Sequence, residues 1–170
     1  PVEQEAQIRL MEKLRNHKGQ DSVRVFRPAD AEETTVCWKM AMENMDTPTA
    51  LIFSRQAVKS LPEGNDYELA RKGAYIVKSS DENPDVILVA SGSEVATLIA
   101  GAELLRKDGL RVRIVSAPSE GLFRRQSREY QESVLPAGAK IFGLTAGLPV
   151  TLEGLVGANG SVYGLSSFGY

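Results

Sequence analysis

The sequence predicts an α/β fold: a three-layer α/β/α domain with a mostly parallel five-stranded sheet whose first strand is antiparallel, preceded by a βαβ-like fragment of a second α/β domain. Three observations predict it. Short apolar runs such as Thr49 to Phe53 and Val86 to Ala90 are bounded by turn residues and read as buried strands. Segments with apolar residues three and four apart alternate with these runs, which implies right-handed crossovers and helices on both sheet faces. Between residues 57 and 72 the periodicity lapses, dividing the chain in two.

In the first part, Val2, Ala6, Leu10 and Leu14 recur every fourth residue with Ile8 and Met11 beside them. They predict an opening amphipathic helix that buries this stripe and ends at Gly19. Val23 to Phe26 is the next strand. Asp30 followed by Glu33 is a capping box, in which two side-chain oxygens satisfy backbone donors that the start of a helix leaves unpaired. The helix is expected to bury Cys37, Trp38, Ala41 and Met45, and Asp46-Thr47-Pro48 ends it. Thr49 to Phe53 follows as a strand expected to be buried on both faces. So short a unit buries too little surface to close a core. Residues 1–56 are therefore expected to be one end of a larger α/β domain whose other strands lie upstream, with Pro1 a cut end.

Residues 57–72, AVKSLPEGNDYELARK, read as a surface loop or linker. Residues 73–170 form the second domain, with strands expected at Ala74 to Lys78, Val86 to Ala90, Val112 to Val115, Ile141 to Leu144 and Ser161 to Leu165. A long helix opens at Ser91-Gly92-Ser93-Glu94, buries Val95, Leu98, Ile99, Ala102 and Leu105, and ends at Gly109. Ser119 to Val134 is a shorter helical stretch expected to break near Ser127, and Val150 to Val156 a short helix. The connection from Lys78 to Val86 is too short for a crossover helix, so the first strand is expected to run antiparallel.

Composition excludes several function classes. With 170 residues, 42% hydrophobic and 25% charged, the chain is of ordinary globular type, and its net charge of -2 argues against nucleic-acid binding. Arg124, Arg125 and Arg128 are the densest basic cluster, but Glu120, Glu129 and Glu132 lie among them, as on a solvated helix face. No apolar run is long enough to span a bilayer, and the charged amphipathic start does not resemble a signal peptide. Cys37 is the only cysteine, which fits a cytoplasmic location, and together with the single His17 it cannot build a zinc site. His17 sits in a turn sequence, and Cys37 lies on an apolar stripe where a thiol packs as a small hydrophobe.

Two stretches remain as candidate sites. Arg55 follows a strand at its carboxyl end, where open α/β sheets gather ligands, and its planar fork suits phosphate or carboxylate. From spacing alone, a helix-end contact or a structural ion pair is the commoner role for such an arginine. Ser91, Gly92 and Ser93 could hold a small anion at a helix start, but Glu94 would repel it. Capping by Ser91 and Glu94 is the simpler reading there. The glycines at 154, 157, 160 and 164 do not match a dinucleotide fingerprint.

The segments PVEQ, RPAD, TPTALIFSRQ, KGAYIV, DVILVASGSEV and VRIVSAPSEGLFRRQSREYQESVLP, in that order, resemble the later half of transketolase. SGSEV and the stretch from Val112 to Pro136 are the most specific, and the resemblance weakens between Gly143 and Gly157. It implies that residues 1–56 end a thiamine-diphosphate pyrimidine-binding domain and that residues 73–170 belong to the C-terminal domain. Phe168-Gly169-Tyr170 resembles the segment before that domain's last helix, so the far end is also expected to be cut. It also implies that Arg55, the arginine of SRQ, binds the phosphate of a sugar substrate. The implied reaction moves a two-carbon ketol unit between sugar phosphates in the pentose phosphate pathway, using thiamine diphosphate and a divalent metal, Mg or Ca, in a homodimer. The residues that hold that cofactor and metal are expected upstream of Pro1, so this chain alone is expected to bind neither and to be inactive, with no catalytic residue of its own. Dihydroxyacetone synthase shares these motifs. A non-catalytic module, binding a small anion at Ser91 to Ser93 or supporting the dimer, is the reading from another class.

Overall fold

The structure, a computed structural model, describes residues 3–78 and 80–167. Val2 of the opening stripe and Phe168-Gly169-Tyr170 lie outside the described residues.

The first part contains α1 (Gln4–Met11), β1 (Arg24–Phe26), α2 (Ala31–Glu43) and β2 (Thr49–Leu51). β1 and β2 pair in parallel, Val25 opposite Ala50, so the βαβ unit forms as expected. Asp30 caps α2 by accepting from the backbone N–H of Glu33 at 2.9 Å. Glu33 reaches back one residue further than a capping box requires and accepts from the N–H of Ala29 at 2.5 Å.

Four expectations in this part are corrected. α1 ends at Met11, and the chain turns back through an Arg15–Asp21 bridge with Gly19 at φ 75°, so Gly19 belongs to the turn and does not end the helix. Leu10 (57% exposed), Met11 and Leu14 face outward while Ala6, Arg9 and Glu12 face in. Glu5 lies 3.5 Å from the Arg27 guanidinium and Glu12 accepts from the Val25 N–H at 3.0 Å, so polar contacts set which side of α1 turns inward. Of the expected set, α2 buries Cys37 and half-buries Ala41, but Trp38 (49%) and Met45 (88%) are exposed, and Glu33, Val36 and Met40 turn inward with Cys37. The reason is a 3-10 helix, Tyr67–Lys72, which packs with α2 and rotates the buried face toward Tyr67, Ala70 and Tyr75. β2 is half-buried, not buried on both faces, because its sheet has only two strands.

The stretch read as a loop is therefore folded and tied down. Asp66 caps the 3-10 helix, Gly73 ends it at φ 88°, and both the Leu61 N–H (2.8 Å) and the Tyr67 hydroxyl (2.7 Å) donate to Asp30 Oδ2.

The second part continues with β3 (Tyr75–Ile76), β4 (Val86–Ala90), α3 (Glu94–Lys107), β5 (Val112–Ser116), α4 (Glu120–Arg124), α5 (Arg128–Val134), β6 (Ile141–Leu144), α6 (Val150–Val156) and β7 (Ser161–Tyr163). The sheet order is β3-β5-β4-β6-β7, with β3 antiparallel to β5 and the other pairs parallel. The helical stretch breaks where expected: Ser127 opens α5 by accepting from the Tyr130 N–H at 3.2 Å. One sheet face buries Val95, Leu98 and Ala102 of α3 against Leu88, Ala90, Val112 and Ile114. The other buries Phe123, Val134, Leu152 and Leu155 against Ile87, Val89 and Val115. Residues alternate between faces along each strand, and the result is three layers.

Candidate functional site

β1 and β2 end side by side, joined by Ile52 N–H donating to the Phe26 carbonyl at 2.8 Å. A cavity of about 160 Å³ lies beyond this end, between Pro28, Ala29 and Thr34 at the start of α2 and Phe53, Ser54 and Val58. Arg55 follows in an exposed bend and makes no hydrogen bond or ion pair with the described residues. The chain directly after it, Gln56 to Lys59, borders a cavity of about 250 Å³ whose other wall is Ser93, Ala96 and Thr97. Folding thus brings the segment next to Arg55 against the start of α3, where the second candidate stretch lies.

That second stretch is built around a residue that sequence reasoning did not single out. Arg27 is buried at the end of β1; its Nη1 donates to the Ser91 carbonyl oxygen and pairs with Glu94 Oε2, and its Nε lies 3.5 Å from Glu5 Oε2. Its backbone N–H donates to the Pro118 carbonyl (2.8 Å), and its own carbonyl accepts from the Gly92 N–H (3.0 Å). Gly92 sits at φ 63°, and a Cβ there would overlap the Arg27 guanidinium. The expected capping by Ser91 and Glu94 is corrected. Ser93 is the N-cap residue without a side-chain cap bond, and its hydroxyl donates to Glu94 Oε1 at 2.7 Å. A guanidinium from a neighbouring strand is a stronger partner for Glu94 than a backbone N–H.

Behind both stretches lies Glu33, fully buried. Its Oε1 accepts from the Tyr75 hydroxyl (2.8 Å) and the Ser116 hydroxyl (2.7 Å), joining α2 to β3 and β5. Tyr75 in turn accepts from the Asn65 side-chain amide at 3.1 Å. Burial pushes the Glu33 carboxyl up to about 7, against the opposing pull of its hydrogen bonds from Ser116, Ala29 and Tyr75. The sequence shows Glu33 only as a capping residue, because its partners lie 42 and 83 residues further on. His17 is in an exposed turn, and Cys37 is buried with its thiol pushed well above the ordinary range by desolvation.

Among the described residues no three His, Cys, Asp or Glu side chains are placed to hold a metal ion.

Comparison with known proteins agrees with this architecture. Residues 73–170 match the family described as the transketolase-like TK C-terminal domain. A transketolase from Staphylococcus aureus (strain MW2) is 40% identical over 172 residues, covering 99% of this chain and 25% of that protein. The solved transketolase from Leishmania mexicana superposes with a TM-score of 0.86 at 35% identity, over 99% of this chain and 23% of that one. The Pichia stipitis transketolase solved in complex with sedoheptulose-7-phosphate gives 0.82 at 33% identity, over 99% and 23%. The chain spans about a quarter of the length of the curated relatives it matches. With the family match covering more than half of its residues and the fold of solved transketolases reproduced along nearly its whole length, this chain belongs to the transketolase family.

Proposed function

We propose that this chain carries the substrate-phosphate arginine and the C-terminal domain of a ketol-transferring transketolase, with Arg55 gripping the phosphate of a sugar phosphate. The observation that carries this reading is the state of Arg55: exposed beyond the end of a parallel strand, with its fork unclaimed by the described residues. In this reading residues 1–56 complete a pyrimidine-binding domain, 57–72 connect it, and 73–170 are the C-terminal domain. The whole protein works in the pentose phosphate pathway as a cytoplasmic homodimer. Thiamine diphosphate, held with Mg or Ca by segments outside this chain, supplies the chemistry of two-carbon transfer. This chain's own part is to bind and orient the phosphorylated end of the substrate. Among the described residues no helix is long and apolar enough to cross a membrane.

In the full-length enzyme, Arg55→Ala is expected to cost about 1.5–3 kcal/mol in phosphate recognition. It raises KM for phosphorylated sugars while leaving KM for unphosphorylated analogues nearly unchanged; equal effects on both would overturn the assignment. The 170-residue chain alone is inactive and shows no heat of thiamine diphosphate binding with magnesium present. Micromolar binding in that titration would show that the chain holds the cofactor site after all.

A further inference from the structure

We propose that the cleft between α1 and α4 is a binding site for a small phosphate-type oxyanion, built on Arg9, Arg15, Arg124 and Arg125.

The site rests on a buried cation that the fold leaves incompletely satisfied. The Arg9 side chain is 5% exposed; its Nε donates to Glu5 Oε1 at 2.9 Å and its Nη1 lies 3.9 Å from Glu12 Oε2. Neither Nη1 nor Nη2 has a hydrogen-bond partner among the described residues. Orphaned donors on a buried charge are costly, and proteins seldom leave them without a role. Beside them lies a cavity of about 220 Å³ that is open to solvent and bordered by five cationic side chains, the four arginines and Lys13, against two carboxylates, Glu12 and Glu120.

The surrounding guanidiniums have donors to spare. Arg124 uses Nε on Glu120 at 2.6 Å, while Arg15 (2.5 Å) and Arg125 each use Nη1 on the single carboxylate of Asp21. A guanidinium carries five N–H donors, so each of the three keeps most of its fork available. The carboxylates compete poorly. Glu12 spends Oε1 on the Val25 N–H at 3.0 Å, and burial raises its carboxyl, with Glu120 adding to the rise while Arg9 and Arg125 oppose it. Glu120 is held by Arg124, and Asp21 is shared between two arginines. A tetrahedral oxyanion offers acceptors in several directions at once, which matches forks converging from α1, the turn after it and α4.

The test is calorimetric titration of the 170-residue chain with inorganic phosphate at constant ionic strength, comparing wild type with Arg124→Gln, Arg15→Gln and Arg55→Ala. Arg124 and Arg15 are 45% and 57% exposed, so their variants keep the fold, and circular dichroism checks this. The expected result is saturable binding at one site, weakened about tenfold by Arg124→Gln and by Arg15→Gln and unchanged by Arg55→Ala. Absence of saturable binding, or equal affinity in all four proteins, overturns the proposal. Loss confined to Arg55→Ala also overturns it, and moves the bound phosphate to the end of β2 without touching the reading of Arg55 given above.

Discussion

Arg27 and Glu94 form a buried ion pair that fastens the end of β1 to the start of α3. The same guanidinium donates to Ser91, so the junction of the two sheets is charged where an apolar contact would serve for packing alone.

Removing one partner of a buried pair leaves the other unpaired, which costs more than the pair contributes. Arg27→Ala is expected to lower unfolding stability by about 3 kcal/mol. Arg27→Lys costs less, because the charge stays while the fork to Ser91 is lost. Urea midpoints of the two variants check the order; equal midpoints would mean that geometry at this junction is unimportant.

Glu33 gives stability a pH dependence of known sign. Its folded value of about 7 lies above the ordinary 4.5, so the native state keeps a proton that the unfolded chain has released. Its contribution is fully present below pH 4.5 and is lost as pH rises to about 7, beyond which it is flat. The two values correspond to about 3 kcal/mol. Measured as the difference between wild type and Glu33→Gln, this slope between pH 4.5 and 7 disappears in the variant, which carries no titrating group at that position.

Gly73 joins the 3-10 helix to β3 at φ 88°, and a Cβ there would collide with the backbone of Ser119 and Phe123. Both objections are to backbone atoms, which cannot swing aside. Gly73→Ala is expected to cost more than about 2 kcal/mol, whereas Gly109→Ala, with open space around it, costs only the strain of a positive φ. Thermal unfolding of the two variants separates collision from strain.

Cys37 is the single thiol, on the buried face of α2. Desolvation, aided by the nearby Glu33 carboxyl, holds it in the unreactive protonated form. A disulfide reagent is expected to label the native chain only at the rate of unfolding and to label it at once in urea. Rapid native labelling would show that α2 opens locally.

Several features were legible because they depend on neighbours close in sequence. β4, β6 and α6 were found with their boundaries, the helix break at Ser127 followed from its cap, and the antiparallel β3 followed from the length of one connection. Arg55 was visible as a charged residue just past an apolar strand, and the structure leaves it exposed there.

The inward faces of α1 and α2 were not legible. A periodic stripe marks the buried side of a helix when one apolar surface covers it, as it does for α3. α1 instead lies against Arg27 and α6, and α2 against the 3-10 helix, so Leu10 and Trp38 face outward while Arg9 and Glu33 turn in. Local pattern, then, determined the order and type of the strands and α-helices and the family to which the chain belongs, though it missed the 3-10 helix at Tyr67–Lys72. Tertiary structure alone decided which charges are buried and paired, because the cost of burying a charge depends on the partner that meets it, and for Arg27 and Glu33 those partners lie tens of residues away.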